Sequence, residues 1–333
     1  MTHIDLTHCS RRGFVHTLSA ATLFPWVSAH AQDAGGVLKL GQSTALTGPL
    51  GDLGQAAVQG AKACFDAVNA KGGVNGRKIE LVSQDDGYDA KKALANAEGF
   101  IADKDIFALF NCLGTPMVEA MLPKVIESGI PFFAPYTGAL LARPKARNVF
   151  NIRASYPDEA EQLVQHLSTI GIKRIGVAYQ NNAFGKEVFE GARLAMEKYK
   201  VTNSSAVTIE STGAAAAAAA TKLLADAPEA ILMGLAGKPT IDFLKAMRQQ
   251  RKGMPLYALS VLGAAATLKA LGDDAVGIAV SQVVPLPNNT GVAVVRDFQQ
   301  AWKQSGTALE PSHLALEGYI NARVFVEALR RAG

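Results

Sequence analysis

The sequence is poor in the features that mark several large classes of protein. It contains 3 cysteines in 333 residues, which is too few for a scaffold held together by disulfides. No apolar run reaches the roughly 18 residues that a membrane-spanning helix needs. The net charge is only +4, from 33 basic and 29 acidic residues. Because no basic block accompanies this small excess, nucleic acid is not expected as a partner.

Histidine and the common catalytic motifs are also scarce. Four of the six histidines lie within the first 30 residues, which leaves His166 and His313 for the rest of the chain. The sequence has no GxSxG, HExxH, CxxC or Walker motif, and no GxGxxG follows its first strand pattern. It therefore predicts no metal, no cofactor and no enzyme. Hydrophobic residues still make up 49% of the chain, enough for a large folded core.

The first 31 residues are typical of an export signal. Arg11 and Arg12 precede a mostly apolar stretch over 14–27, and Ala29-His30-Ala31 forms an A-x-A cleavage site. This order of charged, apolar and small residues marks a secretory signal, and the adjacent arginines favour the twin-arginine type. We therefore expect cleavage before Gln32 and a location in the periplasm.

Two cysteines remain in the mature chain that this cleavage would leave. Cys64 falls on the apolar face of a predicted helix and is interpreted as a small buried hydrophobe. Cys112 ends a predicted strand, where it would line the core or a pocket. Whether the two form a disulfide in an oxidising compartment is left open, because the sequence alone does not bring them together.

From Val37 onward, strand patterns and helix patterns alternate. About five such units precede residue 150 and about five follow it, which predicts parallel sheets with helices on both faces. We expect two doubly wound α/β domains joined by a hinge, the first formed by 32–152 with 285–333 and the second by 153–284. The stretches 149–153 and 283–287 would connect them. The alanine run 214–220 is read as helix, since alanine is the best helix former.

Three loops at the predicted ends of strands are candidates for a binding site, because open parallel sheets bind ligands at that edge. Leu113-Gly114-Thr115 leads into a helix whose free amides, together with the threonine hydroxyl, suit a carboxylate. Tyr136-Thr137-Gly138 is a second loop rich in donors. In the third, 181–185, Phe184 would close over an apolar ligand. Ordinary turn chemistry is the alternative for each loop.

The acidic pair Asp85-Asp86 ends a predicted strand shortly before Asp89. A metal site or a general base is one interpretation. We favour the other, in which these residues cap the next helix and carry solvated loop charge.

Several segments together resemble a known family. Its pattern is matched at 46–49, 67–76, 85–86, 127–131, 150–156 with 158–159, and 184–185. On these residues the chain resembles the periplasmic substrate-binding proteins of ABC transporters, in the branched-chain amino acid (Leu/Ile/Val)-binding family. The resemblance implies two α/β domains that are joined by three crossovers and close around one small molecule. It also implies a permease in the inner membrane as the partner.

The resemblance also suggests where a ligand would lie. Thr115 matches the serine that holds the ligand carboxylate, and Tyr136 to Gly138 match a loop with further ligand contacts. Phe184 matches an aromatic residue of the second domain. The predicted ligand-binding residues are Leu53, Leu113, Gly114, Thr115, Tyr136, Thr137, Gly138, Phe184 and Ser260.

The chain departs from the family pattern at two places. The family puts a glutamate for the ligand ammonium near Ser260, but the run 259–263 contains no acid, and an uncompensated buried ammonium is costly. We therefore expect a small carboxylate, an aromatic or other organic acid in preference to an amino acid. An amino acid is the alternative, with another acidic group or backbone carbonyls in place of the missing glutamate. The sequence also stops soon after the helix pattern that ends near Arg331, so we expect either a truncated chain or an incomplete hinge.

These patterns lead to one hypothesis and two competitors. The leading hypothesis is a monomeric solute-binding protein that delivers its ligand to an ABC importer. A sensory module of a receptor would share the same fold and cleft, so that fold alone does not separate the two. A hydrolase is disfavoured, because no usable catalytic set is present.

Overall fold

The computed structural model describes residues 36–262 and 265–333. The export signal predicted over 1–31 lies outside the described residues. None of the described helices is long and apolar enough to cross a bilayer.

The strands form two sheets of five, and within each sheet all neighbouring strands run parallel. The first sheet has the order β2-β1-β3-β4-β5 and the second the order β10-β9-β8-β6-β7. The bounds are β1 Val37–Thr44, β2 Lys78–Asp85, β3 Ile106–Phe110, β4 Phe132–Phe133, β5 Val149–Phe150, β6 Arg174–Gln180, β7 Thr202–Ile209, β8 Ala230–Gly234, β9 Leu256–Ala258 and β10 Ile278–Val280.

Helices connect all successive strands except β4 and β5, and they cover both sheets. Their bounds are α1 Gly51–Asn69, α2 Ala90–Ala102, α3 Thr115–Ser128, α4 Tyr156–Thr169, α5 Ala183–Tyr199, α6 Ala216–Ala225, α7 Lys238–Gln250, α8 Ala265–Leu271, α9 Ala293–Gln304 and α10 His313–Ala332. The last two helices return to pack on α1. The first lobe therefore consists of β1–β5 with α1–α3, α9 and α10, and the second of β6–β10 with α4–α8. The predicted fold of two doubly wound α/β domains is confirmed.

The chain passes between the lobes after β5 and again after β10. The predicted passage over 149–153 begins too early, because Val149 and Phe150 pair with Phe132 and Phe133 as the edge strand of the first sheet. It starts at Asn151 instead. The domain bounds 32–152 with 285–333 and 153–284 stay a prediction.

The alanine run is helical only in part. Gly213 and Ala215 have φ angles of +88° and +67°, so they form a left-handed turn that α6 cannot include. The helix begins at Ala216. It is anchored by Leu223, which is fully buried.

The acidic residues after β2 have three different roles. Asp89 caps α2 by accepting hydrogen bonds from the amides of Lys91 and Lys92. Burial opposes ionisation of Asp85, but hydrogen bonds from the Thr47 hydroxyl and neighbouring amides lower its pKa to about 2. Asp86 is fully buried and accepts a 2.7 Å bond from Ser43 Oγ, so its interpretation as solvated charge was wrong. Among the described residues no group of acidic, histidine or cysteine side chains suits a metal.

The two cysteines of the described chain are both free and buried. Cys64 packs in the core around α1, and Cys112 packs in a separate cluster around α3. Burial raises the pKa of each thiol to about 12. Both are therefore unreactive core residues at neutral pH.

Helices α1 and α10 approach each other backbone to backbone. A Cβ atom on Gly60 would lie 1.8 Å from the carbonyl oxygen of Ala315, and one on Gly318 would lie 2.2 Å from that of Ala57. Only glycine fits at these two positions. The close contact fixes the C-terminal helix to the first lobe.

We expect Gly60→Ala and Gly318→Ala each to lower the free energy of unfolding by about 1–3 kcal/mol or more, because the added methyl group forces the helices apart. Gly99→Ala is the matched control. It lies in α2 with nothing within 4 Å of its Cβ position, so better helix propensity should leave stability equal or higher. Urea unfolding of the three variants measures this. Equal stabilities would contradict the packing argument.

Candidate functional site

A cavity lies between the lobes, where the strands of both sheets end. Its walls come from segments that follow β1 to β5 in the first sheet and β6, β8 and β9 in the second. The lining residues are Leu50, Leu53, Tyr88, Leu113, Gly114, Thr115, Tyr136, Tyr156, Phe184, Ala236 and Val261. This is the edge at which open parallel sheets bind ligands.

The lining of the cavity is apolar and aromatic, and it contains no charged side chain. The lining residues that carry a hydroxyl group are Tyr88, Thr115, Tyr136 and Tyr156. The cavity therefore suits a small ligand that is bound by apolar contact and oriented by a few hydrogen bonds.

The N-terminus of α3 lies in the wall of the cavity. Gly114 precedes the helix with φ +104°, and a Cβ atom there would lie 2.3 Å from Met117 Cε and 2.9 Å from Tyr88 Cε2. The Thr115 hydroxyl lies 2.7 Å from that of Thr137, which in turn accepts the amide of Ala139 at 3.1 Å. A helix N-terminus with a positioned hydroxyl favours an anion.

A buried ionic group lies directly behind Tyr136. The tyrosine hydroxyl donates to Glu317 Oε2 at 2.9 Å, and Arg153 donates to the same oxygen at 2.5 Å. Arg153 also donates to Glu159 Oε1 at 3.1 Å and contacts the Ser260 hydroxyl. We call Arg153, Glu159, Ser260, Ser281 and Glu317 the Arg153 cluster.

The Arg153 cluster connects the two lobes. Glu317 lies on α10 of the first lobe and Glu159 on α4 of the second, while Arg153 lies in the passage between them. Glu159 Oε2 also accepts the Ser260 amide at 2.9 Å and the Ser281 hydroxyl at 2.6 Å. Burial by itself would lower the pKa of Arg153, but the carboxylates of Glu317 and Glu159 hold it well above its usual range.

Tyr156 forms a further wall of the cavity and depends on Gly138. The Tyr156 amide donates to the Gly138 carbonyl at 2.8 Å. A Cβ atom on Gly138 would lie 2.7 Å from Tyr156 Cδ1, so the glycine makes room for the ring. Tyr156 and Phe184 then meet edge to face with centroids 5.0 Å apart.

Six of the nine residues predicted to bind a ligand line this cavity: Leu53, Leu113, Gly114, Thr115, Tyr136 and Phe184. Thr137 and Gly138 lie one layer behind, where they support Thr115 and Tyr156. Ser260 does not line the cavity, because its hydroxyl faces Arg153 and its amide donates to Glu159. Its neighbour Val261 lines the cavity in its place.

Reasoning from the sequence missed five lining residues: Leu50, Tyr88, Tyr156, Ala236 and Val261. All five follow strand ends, so a survey of every strand end would have found them. No pattern in the sequence indicates the Arg153 cluster, because Arg153 and Glu317 are 164 positions apart.

The lobes also contact each other beside the cavity. The Thr267 hydroxyl of the second lobe donates to Asp52 Oδ2 of the first at 3.0 Å. The Leu141 amide of the first lobe donates to Glu187 Oε1 of the second at 3.3 Å. The structure is therefore a closed arrangement of the two lobes.

A family model described as periplasmic binding protein matches residues 37–333. The chain belongs to that family. A substrate-binding periplasmic protein from Ralstonia solanacearum is similar to this periplasmic binding protein at 32% identity and TM-score 0.84, over 89% of this chain and 85% of that one. A possible leucine/isoleucine/valine-binding protein from Rhodopirellula baltica SH 1 is 30% identical with TM-score 0.82, over 90% and 82%.

Curated relatives agree with this assignment. Leu/Ile/Val-binding protein homolog 7 of Brucella abortus (strain 2308) is 23% identical over 333 residues, which cover 94% of this chain and 81% of that protein. This periplasmic binding protein is thus of type I, in the branched-chain amino acid-binding family. It is a substrate-binding protein and not an enzyme, and its family implies a periplasmic or extracytoplasmic location.

We expect Arg153→Met to lower the free energy of unfolding of this periplasmic binding protein by about 3–5 kcal/mol, because it leaves two buried carboxylates without their cation. Arg193→Met is the control, since its exposed pairs with Glu190 and Glu197 are worth about 0–1 kcal/mol. Chemical unfolding measures both. A loss for Arg153→Met no larger than that of the control would contradict the role given to the cluster.

Proposed function

We propose that this periplasmic binding protein captures a small carboxylate in the cavity between its lobes and delivers it to the permease of an ABC importer. The observation that carries the proposal is the N-terminus of α3, which opens with Thr115 into a cavity that has no charged lining. A buried carboxylate needs donors to replace its hydration. The hydroxyl of Thr115 and the backbone amides of Thr115 and Met117 are the groups best suited to supply them, since Pro116 between them has no amide hydrogen.

The same lining favours an organic acid over an amino acid. An ammonium group in the cavity would need a carboxylate as counter-charge, and no acidic residue lines it. The Ser260 hydroxyl faces Arg153, and the carboxylate beside Ser260, that of Glu159, is paired with Arg153 and does not line the cavity. Leucine, valine and aromatic side chains supply the remaining contacts, which suit an aliphatic or aromatic body.

Delivery would follow from closure of the lobes. A ligand that touches both lobes stabilises the closed arrangement in proportion to its preference for that arrangement over the open one. Thr115 lies on the first lobe and Phe184 on the second, and both line the cavity. A permease that recognises the closed form would then receive only the loaded protein. We expect the protein to act as a monomer.

A thermal-shift screen of amino acids and organic acids identifies the ligand, because a compound that binds only the folded state raises the melting temperature as its concentration increases. For the best acid, we expect Thr115→Ala to weaken binding by about 1–3 kcal/mol, the cost of losing a buried hydrogen-bond partner.

Thr115→Ser, which keeps the hydroxyl, is the matched variant and should bind nearly as well as the native protein. Isothermal calorimetry measures all three dissociation constants. An unchanged constant for Thr115→Ala, or a screen in which no carboxylate raises the melting temperature, would refute the proposal.

Export and uptake are tested together in cells. We propose that 1–31 are a twin-arginine signal, so the exported protein should begin at Gln32. The double substitution Arg11→Lys with Arg12→Lys should retain the protein inside the cell, because the arginine pair is the feature by which such signals are recognised for export. Uptake of the identified acid should then be abolished. N-terminal sequencing and a radiolabelled uptake assay measure the two outcomes. An exported protein that keeps Met1 would contradict the predicted cleavage. Uptake that survives the double substitution would contradict export by the twin-arginine signal.

A further inference from the structure

We propose that Leu50 and Gly237 set the upper limit on the length of the carboxylate that the protein binds. The two residues meet where 49–50 of the first lobe face 236–237 of the second, and we call this contact the end wall of the ligand cavity. The inference rests on the proposed function and adds the residues that determine its specificity for ligand size.

A second cavity between the lobes adjoins the ligand cavity. Its lining includes Pro49 and Asp52 of the first lobe together with Gly237, Lys238 and Thr267 of the second. Unlike the lining of the ligand cavity, it contains charged side chains. The Asp52 carboxylate accepts the Thr267 hydroxyl at 3.0 Å across the lobes, so both lobes bound this second space as well.

The end wall between the two cavities is thin, with two consecutive residues from each lobe. Leu50 lines the ligand cavity and its neighbour Pro49 lines the second cavity. In the other lobe, Ala236 lines the ligand cavity and its neighbour Gly237 lines the second. Leu50 and Ala236 are only 3% and 2% exposed. At this side the ligand cavity therefore borders on further space, and a single buried leucine fills the first lobe's half of the boundary.

The end wall is closed by a backbone contact at Gly237. A Cβ atom on this residue would lie 2.2 Å from the Pro49 carbonyl oxygen and 3.2 Å from Leu50 Cγ, and its φ angle is +62°. No side chain fits between the lobes here, and the positive φ also favours glycine. Because each lobe supplies one half of the wall, the wall is complete only when the lobes are closed.

Another side of the ligand cavity is backed by packed protein. Tyr136 and Tyr156 lie against the guanidinium of Arg153, whose Cζ atom is 5.6 and 5.8 Å from the centroids of their rings. Arg153 is in turn buried against the carboxylates of Glu159 and Glu317. The end wall, by contrast, is a side at which the loss of one side chain would join the ligand cavity to a second cavity.

A carboxylate that outgrows the ligand cavity meets this wall. While the ligand fits, each further methylene group buries apolar surface and should strengthen binding about fourfold. A longer chain must displace Leu50 or hold the lobes apart at Gly237, and both changes oppose closure. Affinity should therefore rise with chain length and then fall sharply.

The first experiment measures this limit by calorimetry with two series of acids, the straight-chain carboxylates from butanoate to decanoate and the phenyl acids from benzoate to phenylbutanoate. In the series that binds better, the native protein should lose at least about tenfold in affinity within two methylene groups beyond the tightest-binding acid. In Leu50→Ala the missing side chain joins the two cavities, so the tightest-binding acid should be longer by about two methylene groups.

Leu38→Ala is the matched control for Leu50→Ala. Leu38 is a buried leucine of the first lobe, 4% exposed, that lines neither cavity. Its replacement should lower stability, because it leaves a void in the core, but the preferred chain length should stay that of the native protein.

Gly237→Ala tests the wall from the other lobe and does not depend on the folding of Leu50→Ala. The added methyl group keeps the lobes apart, so every acid of both series should bind at least about tenfold more weakly. Gly272→Ala is the matched control, since Gly272 of the second lobe also has a positive φ, +53°, but nothing lies within 4 Å of its Cβ position. That variant should bind each acid within about threefold of the native affinity.

Three results would overturn the inference while leaving the proposed function intact: affinity that keeps rising to the longest acid, a preferred length that Leu50→Ala does not change, or Gly237→Ala that binds like the native protein. If no carboxylate raises the melting temperature of the native protein, the proposed function fails together with this inference.

Discussion

A single buried guanidinium ties the two lobes to the chain that passes between them. Arg153 binds Glu317 of the first lobe and Glu159 of the second, and Glu159 in turn holds Ser260 and Ser281. Taking such charges out of water is costly, and a well-packed apolar substitute is often at least as stable. The value of the cluster is therefore geometric, since it fixes where the first passage leaves one lobe and enters the other. The walls that Tyr136 and Tyr156 give to the cavity depend on that placement.

The same arrangement separates the charged residues from the lining of the cavity. Charge is kept one layer behind the lining, while the lining itself shows hydroxyls, amides and apolar surface. A binding protein must release its ligand as well as hold it, and hydrogen bonds to neutral groups are weaker than ion pairs. The helix N-terminus at Thr115 attracts an anion without placing a full positive charge in the cavity.

The fold could be predicted almost entirely, because alternation of strand and helix is a local pattern that composition and periodicity reveal. The predictions were wrong at residues whose environment is set by partners far away in the sequence. From the sequence, Val149 and Phe150 were interpreted as part of a linker, but they pair with β4 in the first sheet. Asp86 was interpreted as solvated loop charge, but it accepts a hydrogen bond from Ser43. Leu113 to Thr115 could be anticipated because a strand end and a helix start are both visible in the sequence. The Arg153 cluster could not, since its members are far apart and share no motif.

The position of Tyr156 bears on how the protein responds to the size of its ligand. Tyr156 is the first residue of α4 and lies three positions after Arg153, so one residue is both a wall of the cavity and the start of the first helix of the second lobe. A ligand large enough to displace this ring would also displace the start of α4. The size of the ligand would then affect how closely the two lobes approach each other.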